Sequence, residues 1–172
     1  MEKHRGIIKL SEVVSKHFDP DRIEGYCRDC PNYGKLWSCP PFDFDVRIAF
    51  EGREDLIVNA WAFETDNLSD DAIERMNMET VYEMNYLILE EEKKEKGSFA
   101  FYADSCVICG ENSCTRPQNK PCRHIDIMRY PLEAFGIDVT TLLNDLFGLK
   151  LIWAKQGKKY PDIIIRVTGL IK

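Results

Sequence analysis

Apolar residues recur along this chain in two rhythms, one of helical spacing and one of short dense runs. Between residues 69 and 97, Ile73, Met76, Val81, Met84, Leu87 and Ile88 fall at helical spacing and predict a long helix with that face inward. Ser69 suits its N-cap, Asp70 and Asp71 its first turn, and Gly97 its C-terminal cap. The EEEKKEK tail, residues 90–96, reads as a solvated end with acids ahead of bases at pairing distance. DLIVNAWAF (55–63) is rich in β-branched and aromatic residues and predicts a buried strand, and SFAFYAD (98–104) predicts another. IIKLSEVVSKHF (7–18) reads as a short helix that Asp19-Pro20 stops. LEAFGIDVTTLLNDLF (132–147) carries helical patches around Gly136. LKLIWA (149–154) and DIIIRVTGLI (162–171) flank the turn-rich QGKKYP and predict a closing antiparallel hairpin.

This order predicts an α/β (mixed α+β) fold: about four strands in a mixed sheet, flanking helices and two cysteine-rich loops, in a single domain over residues 1–172. Strands 55–63 and 98–104, joined through the long helix, are expected to run parallel. Hydrophobic residues make up 44% and charged residues 30%, which is the composition of a folded globular chain rather than a disordered one. The net charge of −6 argues against a nucleic-acid partner, whose phosphates call for Lys and Arg. No apolar run nears the roughly 20 residues of a membrane span, and Lys9, Glu12 and Lys16 interrupt any signal-like stretch. A cytoplasmic protein without membrane partners is expected.

The seven cysteines change the picture. An odd number without a secretory signal does not suit a disulfide framework. All seven fall in two short windows, Cys27, Cys30 and Cys39, then Cys106, Cys109, Cys114 and Cys122, both within turn-forming composition. Residues 21–45, around the first window, show no periodic segment and read as loop.

The second window is C-x2-C-x4-C-x7-C. Its first pair is spaced to face one centre, and Gly110-Glu111-Asn112 can turn Cys114 back towards it. Tetrahedral zinc accepts four such ligands, and iron–sulfur clusters such as [4Fe-4S] also take four thiolates from short irregular spacings, often beside proline. Pro121 precedes Cys122, and Pro40-Pro41 follow Cys39. The first window, C-x2-C-x8-C, offers only three thiols. A cluster with one open iron, ligand exchange between the loops, or a nitrogen from His124 would each complete it. His124 reads first as a surface histidine, as do His4 and His17.

With both elements in hand, the chain resembles a family of uncharacterised, cysteine-rich predicted metal-binding proteins, a domain of unknown function found mostly in anaerobic bacteria and archaea. The resemblance rests on C-x2-C…YG…W-x-CPP at Cys27, Cys30, Tyr33, Gly34, Trp37 and Cys39 to Pro41. It rests also on KEKG-x-x-AF…C-x2-C…CRH…M…P-x-E-A-x-GIDV from Lys94 to Val139. It implies that all seven cysteines are metal ligands, and the anaerobic distribution favours iron–sulfur over zinc. The chain departs from the pattern at Ile125, where a proline is expected after the histidine.

Other residues read more plainly. Arg116 and Arg123 are expected to be solvated loop arginines, although either could offset cluster charge or hold an anionic substrate. Tyr33 and Trp37 could form a lid that gates the first site or simply pack to exclude water, and Asp43 and Asp45 do not make a general acid/base pair. No phosphate loop, nucleotide fingerprint or hydrolase elbow is present. Two functions follow. One is an iron–sulfur protein, with one or two [4Fe-4S] clusters, that passes electrons to a redox partner or acts on a small-molecule substrate at the three-cysteine site. The other is a zinc-stapled accessory or interaction module. Seven thiols favour the first, because two closed zinc sites need eight ligands.

Overall fold

A computed structural model describes residues 1–110, 113–152, 154 and 157–172. In chain order its main elements are β1 (Glu2–Lys9), α1 (Leu10–Lys16), α2 (Pro20–Arg28), β2 (Asp55–Glu64), α3 (Asp70–Lys94), β3 (Phe99–Phe101), α4 (Val139–Phe147) and β4 (Ile163–Ile171). The strands form one sheet in the order β1-β2-β4-β3. The mixed α/β class with four strands and flanking helices therefore holds. Every ladder is antiparallel, however, so the sheet is not mixed. β2 and β3 do run in the same direction, as a strand–helix–strand unit requires, but β4 lies between them.

The fourth strand comes from an unexpected place. Residues 7–18 do not form one helix, since Glu2–Lys9 pairs with β2 from Glu2↔Ala62 to Lys9↔Asp55. Ile7, Ile8, Leu10 and Val13 satisfy a helical spacing, but the open edge of β2 offers the backbone a ladder, and only Leu10–Lys16 coils. The expected hairpin before β4 is absent from the described part of 149–154, which holds no strand. Trp153, within that stretch, lies outside the described residues. Asp19-Pro20 starts a helix rather than merely ending one. The Asp19 carboxylate accepts from the Arg22 amide at 3.2 Å and Pro20 occupies the first turn of α2, where its missing N–H costs nothing. The stretch 21–45 is thus helical up to Arg28.

β2 is buried on both faces, which explains its unbroken apolar run. Leu56, Val58 and Ala60 join Val13, Phe135, Leu142 and Leu143 beneath α1 and α4. Ile57 packs with Ile88 of α3, Trp61 with Met84, and Phe63 with Ile73. Ser69 caps α3 by accepting from the Ala72 amide, as its sequence predicts. Glu95, not Gly97, is the C-terminal cap, and Leu87 points outward at 47% exposure. The EEEKKEK end is not wholly solvated. Glu92 accepts from the Ala100 amide at 2.7 Å and from Arg129 at 2.5–2.9 Å, pinning the segment after the second cysteine loop. Among the described residues no helix is long and apolar enough to cross a membrane.

Candidate metal centre

Both cysteine windows lie beside the β3 side of this frame. α2 delivers the first. Its last turn carries Cys27, and the chain then turns tightly, with the Cys30 amide bonding the Cys27 carbonyl at 3.0 Å and the Tyr33 amide the Cys30 carbonyl at 3.1 Å. The Gly34 amide, in a left-handed turn, reaches the Pro40 carbonyl at 2.9 Å and closes the loop, bringing Cys39 back. Phe42 then anchors the exit, edge-on to Tyr130 at 5.2 Å and to Phe135 at 5.9 Å.

The start of α2 is seated with little freedom. The Asp19 amide bonds the Gly136 carbonyl at 2.9 Å. Gly136 has φ +80°, and a Cβ there would lie 2.5 Å from Pro20 Cα. His17, expected at the surface, is buried here, its Nδ1 2.9 Å from Thr141 Oγ1. Nothing in its sequence spacing signals this.

β3 delivers the second window. Its end is held by the Tyr102 amide on the Tyr130 carbonyl at 2.9 Å and by the Tyr102 hydroxyl donating to the Ile127 carbonyl at 2.5 Å. A turn after Cys106 closes through the Gly110 amide on the Val107 carbonyl. The turn expected of Gly110-Glu111-Asn112 extends to two residues that lie outside the described residues. Beyond Cys114, the Thr115 hydroxyl donates to the Pro121 carbonyl at 2.9 Å, and Arg123 donates to the Ser113 carbonyl at 2.6 Å. These bonds fold the segment before Cys122 back on itself.

The two windows touch each other, a contact the sequence raised only as one option, ligand exchange between the loops. Arg116, expected to be solvated, donates to the carbonyls of Leu36 (2.7 Å), Cys39 and Pro41. The Trp37 indole N–H reaches the Lys120 carbonyl at 3.1 Å and Thr115 Oγ1 at 3.2 Å. The Cys106 amide donates to the fully buried Ser38 hydroxyl at 3.0 Å, and Asn32 donates to Ser105 at 3.0 Å. Asp45 has a local role as the cap of a 3-10 turn, Val46–Phe50. Tyr33 donates to Glu24 at 2.8 Å, so it braces α2 rather than lying free as a lid.

All seven cysteines are free thiols, Cys30 exposed and Cys39 buried. Cys39, Cys106 and Cys27 each feel other thiols of their own window. Burial pushes the Cys39 thiol up to about 12, the Ser38 hydroxyl opposing it and Cys30 and Cys27 adding to it. Burial likewise pushes Cys106 up to about 11, opposed by the Ile108 amide and reinforced by Cys109, Cys122 and Cys114. Cys27 is raised by burial first, then by Cys30, Glu133 and Glu24. Among the described residues no three Cys, His, Asp or Glu side chains converge closely enough to hold a metal ion as they stand. The donor chemistry suits a soft, thiolate-bound metal, and ligation would require the thiols to draw closer together. Cys27 also lines a cleft of about 220 Å³ between α2, the segment from Pro40 to Arg47 and the turn Glu133–Phe135.

A family model described as a predicted metal-binding protein (DUF2284) matches residues 7–169, nearly the whole chain. No curated protein and no solved structure matches it.

Proposed function

The chain belongs to this family of predicted metal-binding proteins, and from that premise we propose that it is an iron–sulfur protein with a redox role. Cys106, Cys109, Cys114 and Cys122 would hold a closed [4Fe-4S] cluster. Cys27, Cys30 and Cys39 would hold a centre with one position open. The observation that carries the reading is the placement of three thiols on one loop and four on another, with the two loops bonded to each other.

Burial argues against a bare thiolate reagent at Cys39 and Cys106. A nucleophilic or disulfide-exchanging cysteine needs a lowered pKa. Burial pushes these two thiols the other way, up to about 12 and about 11. An odd ligand count favours clusters over two closed zinc sites, because a cluster iron can keep an open position for substrate or another protein group. The cleft that reaches Cys27 gives such a position access from outside. The closed set would pass electrons to a redox partner, and the open set would meet a small molecule.

Anaerobically purified Cys114→Ala and Cys39→Ala variants test this division. Each is expected to lose one set's share of the visible thiolate-to-iron absorption, and dithionite should bleach what remains. Unchanged absorption in either variant would exclude that set. Colourless protein carrying zinc would instead make the loops zinc staples.

A further inference from the structure

Side chains from both cysteine loops join them, and two of the bonds end on the backbone of cysteines themselves. The Cys39 carbonyl accepts from Arg116, and the Cys106 amide donates to Ser38, the residue next to Cys39. Ser38 Oγ also lies 3.8 Å from Cys39 Sγ. Trp37 reaches across to Thr115 and Lys120, and its ring lies 5.4 Å from the Arg116 guanidinium. One peptide segment, Trp37-Ser38-Cys39, is therefore fixed from the second loop on every residue.

We infer that this latch makes the two thiol sets a single cooperative metal-binding unit, with Arg116 as its positioning residue. Ordering the second loop around a metal fixes the Cys106 amide and the Arg116 guanidinium, and those in turn fix the backbone of Cys39. The ordering entropy of the first loop is then partly met before its own metal arrives. Coupling of this kind is reciprocal, so metal in the first set must favour the second by the same factor.

The inference rests on both sets taking metal, but not on the metal being iron, so cobalt(II) is the probe. It would be titrated anaerobically into the reduced full-length chain against a competing chelator, with thiolate-to-cobalt absorption as readout. Disabling the second set with Cys114→Ala should weaken cobalt binding at the first set about tenfold, within the usual range of site coupling. In an Arg116→Gln background the same change should matter less than twofold. Hydrogen exchange of the unmodified chain supplies a readout that needs no variant. One equivalent of cobalt should slow the Cys39 and Cys106 amides together. Two cobalt sites that fill independently, or slowing in one loop alone, would overturn the coupling and leave the metal reading intact. No cobalt binding at either set would overturn both.

Discussion

Gly136 offers a sharp test of how the fold positions the first thiol. Its φ of +80° lies in the left-handed region, and an added Cβ would sit 2.5 Å from Pro20 Cα and 2.9 Å from Pro20 N. Those are backbone atoms of the first turn of α2, which cannot rotate away as a side chain would. Gly136→Ala should incur about 1–2 kcal/mol for the left-handed backbone. Displacing Pro20 should add about 1–3 kcal/mol of overpacking. The stiffer unfolded chain returns about 0.4–1 kcal/mol. The net expected loss is about 1–4.5 kcal/mol, a large part of the roughly 5–15 kcal/mol that holds a domain together. Urea unfolding of the metal-free, reduced protein reads it as a midpoint lowered by about 0.5–2 M at a slope of about 2 kcal/mol/M. Gly136→Asn separates the two causes, because asparagine tolerates the left-handed backbone but keeps the clash. It should recover only part of the loss. A Gly136→Ala midpoint within about 0.3 M of the parent would refute the seating of α2 on this turn.

Other consequences are open to direct measurement. In the metal-free protein, iodoacetamide should modify exposed Cys30 first and buried Cys39 last, the Cys39 thiol standing at about 12; peptide mass spectrometry that found Cys39 among the first would contradict its burial. Burial raises the Tyr102 hydroxyl to about 12, so the folded state keeps its proton where the unfolded chain has released it. The stability it contributes is full below its ordinary value near 10 and is lost as pH rises from there through about 12. Tyr102→Phe should flatten that alkaline decline in urea midpoints, and an unchanged decline would rule the residue out. Glu92→Gln should lower stability by about 1–3 kcal/mol, because the half-buried Arg129 loses its ionic partner while the Ala100 amide keeps an acceptor. A loss too small to measure would mean that the pair is not needed to hold the segment after Cys122.

The parts of the molecule legible in sequence are those where one local signal dominates. The α3 cap at Ser69 and the burial of β2 follow from short-range preference and apolar density, and both were anticipated. β1 was not, because its only buried side chain is Ile8 and its stability comes from pairing with β2, some fifty residues away. α2 was overlooked for a related reason. Only Ile23 of its nine residues is buried, so no apolar period marks it, although Asp19-Pro20 did carry a start signal. The cysteine windows were plain from their clustering. Their contact was not, because Arg116 meets Cys39 across 77 positions and no local pattern encodes such a bond. A loop arginine beside thiols looks solvated until the tertiary fold supplies carbonyls for it.

Iron, zinc and acid-labile sulfide, quantified per chain in anaerobically purified full-length protein, test the central claim most directly. The account predicts iron and sulfide in near-equal amounts, about four of each per filled cluster, with little zinc. Stoichiometric zinc without sulfide would contradict it.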